Sequence, residues 1–150
     1  MAAVRAARPG DFDAVLRLYL QLNLDDPRPD PEAASAMFEQ ILARPGLHIL
    51  VLEVDDAIVA TTYLNVIPNL TRALAPYAVI ENVVVEERLR GRGLGKQLMA
   101  ATLQMAWDAG CYKAMLMTGS RTPATHAFYR SCGFSPDAKQ AYLARRPADM

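Results

Sequence analysis

Glu86-Glu87-Arg88-Leu89-Arg90-Gly91-Arg92-Gly93-Leu94-Gly95-Lys96 joins an apolar run, Val79-Ile80-Glu81-Asn82-Val83-Val84-Val85, to a segment of helical apolar period. Three glycines at alternate positions stand among four basic residues. Glycine has no Cβ, so the backbone can take φ > 0 and a ligand can come close to it. At the start of a helix such a turn leaves backbone N–H groups free, and the helix dipole adds partial positive charge. The stretch therefore reads as a strand, an anion-binding turn and a helix.

Upstream, Ala3 to Ala7 is a short extended segment that Pro9-Gly10-Asp11 breaks. Asp11 is a good N-cap, and Phe12, Val15, Leu16, Tyr19, Leu20 and Leu22 follow at helical spacing to about Asn23. Asp25 to Pro31 is a proline-rich loop. A second helix begins at Asp30-Pro31-Glu32, carries Ala34, Met37, Phe38, Ile41 and Leu42 on one face, and stops at Pro45-Gly46. Leu47 to Val54 and Ala57 to Ile67 read as a strand pair across Asp55-Asp56, and Tyr77 to Val85 as a third long strand after a loop.

Downstream, the helix from about Gly93 to Ala109 carries Leu94, Leu98, Leu103, Met105, Ala106 and Trp107, and Gly110 ends it. Tyr112 to Thr118 reads as a buried strand and Ala124 to Cys132 as a short helix ended by Gly133. Strands are predicted from Phe134 and over Lys139 to Ala144. The fold class is α/β in a single domain over 1–150: a mixed sheet, an antiparallel meander plus a β-α-β crossover, flanked by helices. The glycine turn lies at the C-terminal end of the strand that opens the crossover, where ligands of α/β sheets bind.

With 150 residues, 52% of them apolar and 21% charged, the chain can build one proper core. Its formal net charge is zero. No global field draws in nucleic acid or an anionic membrane, so the local basic cluster favours a small anionic ligand. The apolar runs are far shorter than the ~20 residues of a membrane span. The N-terminus has no signal-peptide pattern, and a cytoplasmic location is the default. Cys111 and Cys132 match no zinc or redox spacing, and with two histidines no metal site is expected.

Two nucleotide fingerprints fail on counting. Gly95-Lys96 would put the first glycine of a Walker loop at Arg90, and Gln97 replaces the hydroxyl that would hold Mg²⁺. Gly91 and Gly93 would start a dinucleotide fingerprint, yet Lys96 takes its last position. The pattern Arg90-Gly91-Arg92-Gly93-Leu94-Gly95 instead resembles the acetyl-CoA signature of the GNAT N-acetyltransferase superfamily. The resemblance extends to Phe128-Tyr129-Arg130-Ser131-Cys132-Gly133-Phe134, which matches the superfamily's Phe-Tyr-x3-Gly-Phe, and covers essentially the whole chain.

The resemblance implies an acetyl-CoA-dependent enzyme that transfers acetyl directly to a primary amine of a small molecule or protein. Backbone N–H groups of Arg92 to Lys96 would cradle the CoA pyrophosphate, with Arg88, Arg90, Arg92 and Lys96 at its charged edge. Backbone of Val83, Val84 and Val85 would bond the two amides of the pantetheine arm. Tyr129 matches the general acid for the leaving thiolate, since a phenol of pKa ~10 is protonated at neutral pH. Glu81, alone in an apolar strand, is the candidate base, direct or through water, more so if burial raises its pKa. Relatives carry Asn seven residues before the Tyr; Thr122 stands there, followed by Pro123. Tyr63 and Arg72 are candidate acceptor contacts, and Arg72 points to an acidic group on the acceptor. The alternative is a CoA-binding regulatory or degenerate module without turnover. The C-terminal segment 139–144 offers an edge through which a homodimer would form.

Overall fold

The computed structural model describes residues 1–150, in two compact units, Met1–Gly119 and Ser120–Met150. The first unit is a five-stranded sheet ordered β1-β2-β3-β4-β5. β1 (Ala2–Ala6), β2 (Leu47–Val54), β3 (Ala57–Ile67) and β4 (Tyr77–Val85) pair antiparallel in sequence order, and β5 (Ala114–Met115) lies parallel to β4. α1 (Phe12–Leu22) and α2 (Pro31–Ala43) lie between β1 and β2, and α3 (Leu94–Asp108) is the crossover between β4 and β5. Asp55 and Asp56 close the β2–β3 hairpin with φ of 49° and 66°. Both are left-handed, the geometry of a type I′ turn, and Asp tolerates it.

Period-2 alternation splits the core into two layers. Ile49, Val51, Ile58 and Val84 point to the face that receives Val15, Leu18 and Phe38 from α1 and α2. Leu50, Leu52, Leu64 and Ile80 are buried on the opposite face, which α3 covers with Leu98, Met99, Thr102 and Ala106. Each buried Leu or Ile contributes about 1.5–3 kcal/mol. Thr102 is admitted because its hydroxyl donates to Leu98 O (2.8 Å) and meets Thr62 Oγ1 (2.8 Å), pinning α3 to β3. Trp107, named among the apolar positions of this helix, lies outside the buried stripe and is 45% exposed.

Two expectations need correction. The strand over 112–118 shrinks to Ala114–Met115, since only these residues pair with β4, at Ala78 and Val79. The strands from Phe134 and over 139–144 do not form. Phe134 N donates to Tyr129 O (3.1 Å), a helix-terminating bond in place of a ladder bond. Residues 139–144 pair with no strand, and Tyr142 is 90% exposed. The strand edge on which a homodimer was expected is therefore absent. No helix is long and apolar enough to cross a membrane.

Candidate active site

β4 ends at Val85, and a 3-10 turn, Glu87–Leu89, leads to the glycines. Gly91 and Gly93 have φ of +78° and +80°, which an L side chain adopts only at a cost. A Cβ at either would meet nothing within 4 Å, so the turn presents an open backbone surface. Gly93 is the N-cap of α3 and supplies no capping side chain. The first N–H groups of α3 therefore have no intrahelical partner, and Gln97 N makes the first helical bond, to Gly93 O (3.1 Å). Arg88, Arg92 and Lys96 are exposed around this point. Arg90 folds back instead, Nε donating to Val85 O (3.0 Å).

The strand before the turn is irregular where it must be. Tyr63 pairs with Glu81 and Thr61 with Val84, so Asn82 and Val83 stand opposite Thr62 alone. This is a β-bulge, with Asn82 left-handed at φ 51°. Parallel pairing with β5 has already stopped at Val79. From Ile80 to Val85 the side of β4 turned toward β5 has no strand ladder; Val85 O accepts from Arg90 Nε, and the other backbone groups on that side pair with no strand and can meet another partner. Register puts Tyr77, Val79, Glu81 and Tyr63 on the α1 face of the sheet. Glu81 is exposed although it stands in an apolar strand.

Tyr19 of α1 lies beside the bulge. Its phenolic oxygen is shut from solvent and closes no hydrogen bond, although the side chains of Asn82 and Thr61 are close enough to act on it. Burial pushes its pKa up to about 12.

The second unit holds α4 (Pro123–Ser131). Thr122 is its N-cap and accepts from Thr125 N (3.4 Å), and its hydroxyl also contacts Ser120 Oγ (3.1 Å) and Thr125 Oγ1 (2.8 Å). The Thr122 hydroxyl thus caps the helix. His126 Nε2 lies 2.9 Å from Ser120 O. At the other end Gly133 N donates to Arg130 O (3.0 Å) and Phe134 N to Tyr129 O (3.1 Å), a Schellman stop with Gly133 at φ +97°. The Phe134 ring meets the Tyr129 ring edge-on at 6.1 Å, the apolar contact that accompanies this motif. The Phe128 ring also meets the Tyr129 ring edge-on, at 5.1 Å. The phenol is thereby fixed, and burial, with Cys132 adding to it, raises its pKa above the ordinary value.

Among the sequence-derived residues, the structure brings Glu81 and Tyr63 together as direct cross-strand partners. Arg72 goes elsewhere: it sits in a left-handed turn, Arg72–Leu74, with φ of 55°, 55° and 66°, and its guanidinium lies 5.3 Å from the Tyr112 ring centre. Sequence reasoning missed the Asn82 bulge, Tyr19, and a carboxylate hub at Glu86. Only the tolerance of Asn for left-handed backbone hinted at the first. No group of three His, Cys, Asp or Glu side chains is placed to hold a metal ion.

An open helix N-terminus after a strand that parts from its parallel neighbour is the arrangement that the GNAT resemblance implies, and comparison with known proteins places the chain in that class. The acetyltransferase (GNAT) family profile matches residues 14–134. A solved putative acetyltransferase from Agrobacterium tumefaciens str. C58 is 47% identical, with TM-score 0.91, over 96% of this chain and 99% of that one. Two rice proteins, glucosamine 6-phosphate N-acetyltransferase 1 and the probable glucosamine 6-phosphate N-acetyltransferase 2, are 31% and 34% identical over 85% and 67% of this chain. The matches span 79% and 61% of their own lengths. The chain belongs to the acetyltransferase (GNAT) family. By family it is an N-acetyltransferase that uses acetyl-CoA and delivers the acetyl group to an amine.

Proposed function

We propose that the whole chain, 1–150, acts as one N-acetyltransferase domain on a primary amine of a small polar molecule. The observation that carries the reading is the coincidence on one strand: β4 leaves β5 after Val79, bulges at Asn82 beside Glu81 and Tyr63, and runs into the open glycine turn. Donor and acceptor elements thus lie along a single strand. The backbone of Arg92, Gly93, Leu94, Gly95 and Lys96 receives the pyrophosphate, with Gly91 shaping the turn and Arg90 bracing it. The backbone of Val83, Val84 and Val85 receives the pantetheine amides. The hydroxyl of Thr122 acts on the cofactor only indirectly, through the start of α4.

The amine nitrogen attacks the thioester carbonyl, the C–N bond forms and the C–S bond breaks. Tyr129 gives its proton to the departing thiolate, and its raised pKa keeps that proton available at neutral pH. Glu81, exposed at the bulge, takes the amine's proton directly or through water. Tyr63 lies against the acceptor. Arg72 is held over an aromatic ring without a carboxylate partner and attracts an acidic group on the acceptor. The amino-sugar phosphates named in the rice relatives are acceptors of that chemistry, and the sequence identity to those relatives supports testing them first.

The test is thiol release from acetyl-CoA with glucosamine 6-phosphate, glucosamine, an aminoglycoside and a lysine peptide. Turnover with at least one amine, highest with the phosphorylated sugar, is the expected result. CoA binding without release from any amine would leave the chain a CoA-binding module without turnover.

A further inference from the structure

Glu86, the residue that follows β4, is held from three sides. Gln21 grips it with both ends of its amide: Nε2 donates to Glu86 Oε2 (2.8 Å) and Oε1 accepts from Glu87 N (3.0 Å). Arg17, one turn earlier on the same side of α1, donates to the same Oε2 (3.2 Å) and to Ile58 O (3.2 Å). Arg88 Nε lies 3.8 Å from Oε1. The backbone is tied as well, Glu86 N to Val59 O (2.7 Å) and Leu89 N to Glu86 O (2.9 Å). The Glu86 side chain is 13% exposed, and these donors, Gln21 first, hold its carboxyl below the usual range.

Shielding a carboxylate is costly unless donors surround it. α1 already has an apolar face, Val15 and Leu18, to dock it on the sheet. Arg17 and Gln21 lie off that face, spaced i and i+4, and converge on one group. That group stands immediately before a segment of the opposite character, in which Gly91 and Gly93 have left-handed backbones with nothing packed against them. A flexible turn delivers its N–H groups to a fixed point only if one end is anchored.

We infer that Glu86 and Gln21 are positioning residues for the anion-binding turn: they fix its entry strand to α1 so that the N–H groups past Gly93 are aimed at the CoA pyrophosphate. The inference rests on the reading that this turn holds the pyrophosphate. Neither residue touches the ligand. Arg17 and Arg88 neutralise the Glu86 charge, so the anchor does not repel the phosphate it serves.

Calorimetric titration with CoA and with pantetheine, which lacks the pyrophosphate and nucleotide, tests this. Gln21→Ala and Glu86→Ala should each weaken CoA binding about 5- to 30-fold, the range one to two lost hydrogen bonds sets. Pantetheine binding should stay within about twofold, an allowance below the cost of one lost hydrogen bond. Glu86→Gln, which keeps an oxygen for Gln21 and Arg17, should recover most of the loss. Gln21→Met, close in volume, separates the amide's role from packing should the alanine variant fold poorly. Equal losses for both ligands, no loss for either, or a glutamine variant as weak as the alanine one would each overturn the inference. A wild-type protein that binds CoA no better than pantetheine would overturn the pyrophosphate reading itself, and the inference with it.

Discussion

Replacing Gly93 by alanine isolates what the glycine turn contributes. An added Cβ meets nothing within 4 Å, so no clash enters. The whole penalty is conformational: φ is +80°, and a non-glycine residue there costs roughly 1–2 kcal/mol. The variant can meet that penalty in two ways. If the free protein keeps the left-handed turn, stability falls by that amount, a Tm drop of about 2–8 °C for a chain of this size. If the turn relaxes, stability is spared, but CoA binding must rebuild it and weakens about 5- to 30-fold. The two losses, added as free energies, should total roughly 1–2 kcal/mol. Thermal melts and CoA titrations on one sample read both. Gly93→Asn should recover part of the loss, because asparagine tolerates this region. Gly46→Ala is the contrast: φ is +85° and its Cβ would lie 2.8 Å from Val66 O, at the α2–β2 junction. It should lower Tm further and leave CoA affinity alone. An alanine at 93 that changes neither Tm nor affinity would refute the reasoning.

Tyr129→Phe should keep both ring contacts and the helix stop, leaving CoA affinity unchanged while kcat falls about 10²–10⁴-fold, the usual worth of an acid catalyst. In the wild type the phenol pKa lies above 10, so loss of the proton should depress kcat only on the alkaline side of pH 10. A kcat–pH profile with its alkaline limb near neutrality would remove Tyr129 from the role. Tyr19→Phe should not lower Tm, because its buried hydroxyl closes no bond. The phenol pKa rises from 10 unfolded to about 12 folded. Wild-type stability from this group is therefore complete below pH 10 and is lost as pH climbs to about 12, roughly 3 kcal/mol in all; urea melts across that window should show the fall, and the phenylalanine variant should show a smaller one, left by the other buried phenols. Thr102→Val strands the Thr62 hydroxyl and should cost about 1–3 kcal/mol, whereas Thr62→Val leaves Thr102 bonded to Leu98 O and should cost less.

The long elements were legible because their signals are local. β2, β3 and β4 run over the residues that alternation and branching predict, and the helix starts follow Asp30-Pro31, Gly93 and Thr122-Pro123. What failed needs a neighbour. Whether 139–144 becomes a strand depends on a partner edge, and a run of β-compatible residues carries no record of one. The bulge at Asn82 is a mismatch of register between two strands, invisible in either alone. The same division holds in the site. The glycine turn is written in consecutive residues. Glu86, by contrast, acquires its donors from positions 65 and 69 residues away, and nothing in its sequence neighbourhood marks it. The Phe-Tyr-x3-Gly-Phe signature turns out to be largely helix-stop grammar, with Gly133 at C′ and Phe134 stacked back on Tyr129.

The early end of the β4–β5 ladder has a further consequence for handling the protein. From Ile80 to Val85 the sheet carries an inner seam of main-chain groups that no neighbouring strand covers. Such a seam is a template for any extended chain, including a strand from another copy. A pantetheine arm lying there would act as a surrogate strand, matching main-chain amides with its own two. CoA would then be a solubiliser as well as a co-substrate, and samples concentrated with it should scatter less light than samples concentrated alone.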